Sequence, residues 1–475
     1  MENRPSYEEL LALVKSMSTR IKEMENRPSY EELLALVKSM STRIKELEAK
    51  LSRYENPKNS GNSSIAPSQD PFKKTKSLRK PSKKSPGGQK GHKGSNLKIV
   101  SQVDQVILYD VTSCICCGND LSQGVELYDL RQVFDIPTIS IKVTEHRRAK
   151  KRCGYCGKQN MGSFPKELTQ KAQYGSNLKS LCVYLQNYQM LPFARCAEFI
   201  YDLTGHQLST ASLSNFQKQC YAHLQNYEQQ ITKQLLQNTL LHADETGIRL
   251  NGKNTWIHVI SNKTISFFAH HLKRGKKAMD AIGILEKYNG TLVHDRFSSY
   301  FSYQCEHSLC NALILRDLIY VEEAFEASWA KRIRELLVRA KKHKQKNPNL
   351  KASYYSRIYK EYVAIIRPII KSYDKKFKKT DEQRLAFALE KHKDLFLKYI
   401  KQADIPFDNN QAERDLRMIK VKQKVSGCFR SQTHAQYFAT IRGYIATVKK
   451  NKENVLEQIK QAFNKNYFLP KITAE

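Results

Sequence analysis

Tyr30, Leu33, Val37, Met40, Ile44, Leu47, Leu51 and Tyr54 recur at alternating steps of three and four. That spacing lays one apolar seam along a helix and predicts a coiled coil. Residues 1–23 repeat without a change at 24–46. Because 23 is not a multiple of seven, the first copy is two residues out of phase, and Pro28 interrupts any continuous helix. The element predicted within 1–55 is a leucine zipper, with an amphipathic helix packed on its own chain as the other reading. From 56 to 98 the pattern vanishes into Lys, Ser, Gly and Pro with Asp70 as the only acid. Such a segment has no apolar surface to bury and predicts a disordered basic linker. Residues 127–152, LYDLRQVFDIPTISIKVTEHRRAKKR, alternate as a strand pair would. Three helical stretches follow at 175–189, 192–205 and 209–224; the second stops at Gly205 and the third opens on Ser209 and Thr210, good N-cap residues. That order predicts a helix-turn-helix or, equally, a helical hairpin inside a larger domain.

Charge changes the picture. Lys and Arg number 80 against 46 Asp and Glu, a formal charge of +34, which calls for a polyanionic partner, nucleic acid ahead of anionic membrane. In the linker, GGQKGHKG at 87–94 offers Lys90 and Lys93 to phosphates. No window holds about 18 uninterrupted apolar residues and the N-terminus lacks a signal pattern, so the chain is expected in the cytoplasm, away from membranes. At 475 residues it exceeds what one core organises and is expected to divide into several domains. Its eleven cysteines are scattered, unlike a secreted disulfide framework. Four of them form two pairs, Cys114-x2-Cys117 and Cys153-x2-Cys156, each followed by glycine. A glycine there permits the knuckle that turns two thiolates toward one tetrahedral Zn²⁺. Ordinary reduced cysteines are the alternative, and Cys116 falls outside the pattern.

The chemistry concentrates further on. TLLHADETGIRL at 239–250 runs an apolar, strand-like stretch into Asp244 and Glu245, where a half-desolvated carboxylate needs a cation. Two more strand-like runs, 254–262 and 264–271, are followed by a helix at 275–288 and a fourth apolar run ending at Asp295. Three consecutive strands, a helix and a fourth strand is the ribonuclease H-like order, in which the first and fourth strands are neighbours. Asp244 and Asp295 would then converge, and two close carboxylates with oxygen donors suit Mg²⁺ or Mn²⁺. A third candidate is Glu413 in DNNQAERDLR at 408–417. Asn410 and Glu413 also fit a capping box, in which Glu413 only satisfies a helix start. Arg414 and Arg417 on the same helix are candidates to reach substrate phosphates. His242 and His294 flank the two aspartates, as site residues or as strand filler.

Together these residues resemble the insertion sequence 66 family of transposases. The resemblance rests on the zipper, the linker motif, the two CxxCG knuckles around RQVFDIP and VTEHR, and on ADET, HDRFSSY and NNQAERDLR, and it covers nearly the whole chain. It implies a DDE-type catalytic triad at Asp244, Asp295 and Glu413 that binds Mg²⁺, and a multidomain α+β chain. Its parts would be a coiled coil at 1–55, the linker at 56–98, a zinc-ribbon-like module at 99–165 and a helix-turn-helix region at 166–235. A ribonuclease H-like α/β catalytic domain at 236–450 would follow, with a helical insertion at about 325–400, and then a tail at 451–475. The implied function is metal-dependent cleavage of double-stranded DNA at the terminal inverted repeats of its own element, with strand transfer into target DNA. The implied partners are a second copy of the chain and small accessory proteins, and the implied place is the bacterial nucleoid. In HSLCNALILRDL the family usually has a histidine where this chain has Leu313. That departure, with the exact N-terminal duplication, raises a decayed DNA-binding copy as the alternative. A DNA-binding regulator and a structure-selective nuclease are the other rivals.

Overall fold

In the computed structural model, which describes residues 6–23, 30–55, 97–123, 129–373, 376 and 378–471, the duplicated segment forms two helices, α1 (Tyr7–Glu23) and α2 (Tyr30–Glu55). They pack on each other, and α2 also packs on a helix of the later chain, Asn311–Phe325. Leu10 and Leu47 are buried by these contacts, whereas Tyr30 and Val37 of the predicted seam are exposed. Part of the α2 stripe is therefore used within its own chain. The linker from 56 to 96, with Lys90 and Lys93, lies outside the described residues.

The strand pair expected over 127–152 is not formed. Residues 129–149 adopt no strand, and the pairing found is a short antiparallel hairpin of β1 (Lys150–Arg152) and β2 (Gln159–Met161) around the second CxxC. The alternation is present, but Val133, Ile136 and Val143 project into solvent with nothing to pack on. A two-stranded ribbon without a third strand or a helix against it is marginal in water.

Four helices lead into the sheet: α3 (Ser176–Asn187), α4 (Phe193–Thr204), α5 (Thr210–His223) and α6 (Gln225–Leu236). Helix α4 stops at Gly205, which takes the left-handed φ of +70° that ends helices cheaply only at glycine. Helix α5 opens on Ser209, whose side chain accepts the Ser212 N–H. The strands are β3 (Leu240–Leu250), β4 (Lys253–Ser261) and β5 (Ser266–His271), then helix α7 (Lys276–Ile282), β6 (Thr291–His294) and β7 (Glu306–Leu309). Between β3 and β4, Asn251 and Gly252 both have positive φ, the asparagine-glycine turn that matches strand twist. Sheet order is β5-β4-β3-β6-β7, with β3, β4 and β5 antiparallel and β6 and β7 parallel to β3. The four-residue β7 adds a fifth strand to the four expected.

Helices α8 (Asn311–Phe325), α9 (Ser328–Lys346), α10 (Ala352–Lys371), α11 (Asp381–Lys391) and α12 (Lys393–Lys401) follow the last strand and share one apolar core of their own. Lys344 of α9 donates to the carbonyl oxygens of Tyr399, Gln402 and Ile405, tying this bundle to the segment that returns to the sheet. There α13 (Asn410–Ser426) and α14 (Gln432–Lys450) cover one face through Ile248, Ile257, Val259 and Phe268. Gly443 lets α14 approach closely, since a Cβ there would lie 3.2 Å from the Ser266 carbonyl oxygen. On the opposite face Leu241, Ala243 and Ile260 share a core with Met279, Ile284 and Leu285 of α7 and the turn after it, and that core continues through α14 to α3–α6 and the final helix, α15 (Val455–Phe463). The helices expected as a separate helix-turn-helix unit and the segment expected as a tail are thus built into the body of the sheet domain. Among the described residues no helix is long and apolar enough to cross a membrane.

Candidate active site

Strand β6 lies beside β3 in parallel, with His242 opposite Val293 as the last paired position. Asp244 and Asp295 each stand two residues beyond that pair, so the two carboxylates leave neighbouring strands in step. Backbone N–H groups steady both: Glu245 N donates to Asp244 Oδ1 and Phe297 N to Asp295 Oδ1, each at 2.8 Å.

Glu413 reaches them from α13. The helix begins at Asn410 with Asn409 as its cap, so Glu413 is the fourth helical residue, its own N–H already bonds the Asn409 carbonyl oxygen, and no capping box forms. The helix start is served instead by Asp408, whose Oδ1 accepts the Asn410 N–H at 3.2 Å. The other acids of this segment are committed elsewhere. Asp408 pairs with Lys341 at 3.4 Å, and Asp415 is held by Lys450 at 2.8 Å and by the Ser266 hydroxyl at 2.9 Å. Among the described residues Glu413 pairs with Arg316 alone, at 3.9 Å, and its charge acts on Asp244.

The electrostatics are those of crowded acids. Burial, then the charges of Glu245 and Asp295, and more weakly Glu413, hold the Asp244 carboxyl well above its ordinary range. Burial and Glu245 push Asp295 up to about 6, against the opposing pull of the Phe297 N–H, Arg274 and Arg296. Neither aspartate has an ion-pair partner among the described residues. Desolvated, mutually repelling oxygen donors are a donor set that fits a hard divalent cation. As they stand, no three Asp, Glu, His or Cys side chains among the described residues are gathered closely enough to hold an ion.

Of the residues around the carboxylates, Arg274, Tyr300 and Asn409 carried no functional reading in the sequence. Glu245 points to the other side of β3 and is fully enclosed, bonded by Arg274 Nε at 2.7 Å and by the Tyr300 hydroxyl at 2.5 Å. Asn409 is buried and locks β3 to α13, accepting from His242 Nδ1 and donating to the Ala243 carbonyl oxygen, both at 2.8 Å. Its signal was the NN pair of the motif, but only the fold reveals which asparagine turns inward. His242 is engaged by Asn409, and His294 is enclosed between the Asp295 carbonyl oxygen and His307. Burial keeps both imidazoles below their ordinary pKa, His294 at about 3. Arg414 and Arg417 are exposed on α13. Leu313 is half-buried in the first turn of α8, three residues before Arg316.

The cysteine pairs form two knuckles of one design. Cys114 N–H bonds the Asn119 carbonyl oxygen and Gly118 N–H that of Cys114; Cys153 with Lys158, and Gly157 with Cys153, repeat both bonds, all at 2.9 Å. Gly118 and Gly157 have φ of +75° and +69°. The N–H groups of Cys117 and Cys116 draw the Cys114 thiol below its ordinary pKa, and those of Cys156 and Tyr155 do the same for Cys153. Each knuckle fits a zinc-bound thiolate pair. The two are not brought into one four-sulfur cluster.

Comparison with known proteins places these features. A family model described as Transposase IS66 family matches residues 171–437, and one described as the zinc-finger binding domain of transposase IS66 matches 112–157, spanning both knuckles. A family of unknown function (DUF6444) matches residues 3–98. No curated protein matches the chain. Among solved structures, a chain from the cryoEM structure of the simian T-cell lymphotropic virus intasome in complex with PP2A regulatory subunit B56 gamma is similar at 14% identity. That similarity covers 43% of this chain and 74% of that one with a TM-score of 0.14, too loose a superposition to bear on the fold.

Proposed function

The chain belongs to the IS66 family of transposases, and from that premise we propose a DDE-type enzyme. It binds the terminal inverted repeats of its own element, cuts there, and joins the freed 3′ end to target DNA. The observation that carries this reading is the in-step exit of Asp244 and Asp295 from β3 and β6, with Glu413 acting on Asp244 from α13. The strand order, three antiparallel then two parallel, supports a ribonuclease H-like catalytic domain interrupted by the helical bundle of α9–α12.

A Mg²⁺ or Mn²⁺ ion bound by Asp244, Asp295 and Glu413 would supply a Lewis acid and activate water, then a DNA 3′-hydroxyl, for in-line attack. The chain's own residues set the stage for it. Asp244 and Asp295 offer carboxylates that their surroundings leave short of positive charge, Asn409 fixes the start of α13 against β3, and Arg414 and Arg417 hold phosphates beside Glu413. The knuckles at Cys114, Cys117, Cys153 and Cys156 take Zn²⁺ and, with α4 and α5, contact end DNA. Lys90 and Lys93 add counterion-releasing affinity. The seam of α2 pairs two copies so that both ends are held together, in the bacterial nucleoid and with small accessory proteins of the family. Leu313, near Arg316 and so near Glu413, favours the second reading, a decayed copy that binds DNA without cutting it.

Purified chain incubated with labelled DNA carrying the element's ends tests this. Mg²⁺-dependent nicks together with joined products are expected. Nicks without joined products would indicate a nuclease, and binding without nicks a DNA-binding protein only.

A further inference from the structure

Resting on that reading of the site, we propose that Arg274 binds a backbone phosphate of the DNA strand being cleaved. Arg274 lies between β5 and α7, and a guanidinium has five N–H donors in a planar fork. One of them, Nε, is taken by Glu245 at 2.7 Å. The terminal amino groups make no hydrogen bond among the described residues, and the side chain is 41% exposed while that of Glu245 is 0% exposed. The plane of the fork is set by two rings, Phe297 at 4.2 Å and Trp256 at 5.0 Å from the guanidinium carbon. Phe297 is also the residue whose N–H holds Asp295, so the fork is fixed beside that carboxylate and its charge acts there.

Neutralising Glu245 is not enough to explain this arrangement. Glu245 already receives the Tyr300 hydroxyl, and one guanidinium nitrogen satisfies the rest. A phosphodiester approaching a cluster of carboxylates meets repulsion, and an arginine anchored at its inner edge with its outer edge free offsets that and orients the phosphate in two bonds. Its neighbours are less available: Arg296 is engaged by Asp317, and Arg316 faces Glu413.

The test measures end-DNA affinity across salt concentrations and single-turnover cleavage. It uses unmodified DNA and DNA carrying one neutral methylphosphonate at each phosphate flanking the cut in turn. Arg274→Gln should lower the slope of log affinity against log salt by about 0.9. At one phosphate, the methylphosphonate should slow the native protein at least about tenfold yet slow Arg274→Gln little further, because the two changes remove the same contact. If Arg274→Gln melts early, Arg274→Lys keeps a charge and a donor for Glu245 but loses the fork, and the penalty at that phosphate should shrink in it as well. A native salt slope in Arg274→Gln, or equal methylphosphonate penalties in native and variant at every position, overturns the proposal. Native protein that cuts while Arg274 variants behave identically sinks only this inference. Native protein that binds but never cuts contradicts the transposase reading and leaves the salt slope to decide on Arg274, and native protein that fails to bind end DNA sinks both.

Discussion

Asp295 carries a prediction that needs no DNA. Its carboxyl is raised to about 6 in the fold, above the ordinary value near 4 of an unfolded chain. A group whose pKa is higher folded than unfolded favours the fold fully below the unfolded value, and that contribution is lost as pH rises through the folded one. Without divalent metal, the native chain should therefore lose melting temperature relative to Asp295→Asn between about pH 4 and pH 7, and Mg²⁺ should restore the native chain selectively above about pH 6. Buried histidines such as His258 and His294, held low by desolvation, shift stability the opposite way in both proteins, so the difference between the two melting curves is the quantity to follow. A gap that ignores both pH and metal contradicts the site. The aspartates could be proposed from sequence because a carboxylate following an apolar run is locally conspicuous. Arg274 and Tyr300 could not, because they lie 29 and 55 residues from Glu245 and nothing local marks either as its partner. The capping-box reading of Glu413 turned on one residue, since starting α13 at Asn410 rather than after it moves Glu413 out of the capping register.

Elements with their own local signal were legible; those that depend on distant packing were not. The turn at Gly205 and the cap at Ser209 lie where the residue types indicated. Alternation in 127–152 is a true feature of the sequence, yet it yields a strand only where a second surface takes the apolar side, and here Val133 and Val143 have none. The knuckles, stabilised by bonds within six residues, form regardless. They should retain zinc: metal analysis of the purified chain should find one ion per chain, lost in Cys114→Ser or Cys153→Ser and kept in Cys116→Ser. Zinc-free native protein rules the module out. For α2, the seam around Ile44 is half-buried within the chain, and the proposal is that it also pairs copies. Ile44→Asp would bury a charge in that seam and should convert dimers to monomers in sedimentation; an unchanged mass for native and variant would dismiss the zipper.

At the scale of the whole molecule, the bundle core, which ends in Ile405 and Phe407, meets along the return segment from α12 to α13 the core on one sheet face, which takes up Ala412, Leu416 and Ile419. The sheet core fixes Asp244 and Asp295, while Lys344 and Asn311 anchor the helical bundle to the backbone just before Asn409. Chain order alone gave the strand sequence and the place of the bundle. That α3–α6 and α15 pack onto α14 and join the core of the sheet domain could not be read from it, because amphipathic helices joined by short turns pack equally well as a separate domain or within a larger one. Cleavage is expected to need three carboxylates, on β3, just after β6 and on α13, acting as one unit, and single-turnover cleavage of end DNA by Asp244→Asn, Asp295→Asn and Glu413→Gln tests this most directly. Each amide keeps size and hydrogen bonding but removes charge. Each should cut at least about 10²-fold more slowly than the native chain, by analogy with the loss of other groups that stabilise charge in a transition state, while end-DNA affinity persists. Near-native cleavage by Glu413→Gln would contradict the account.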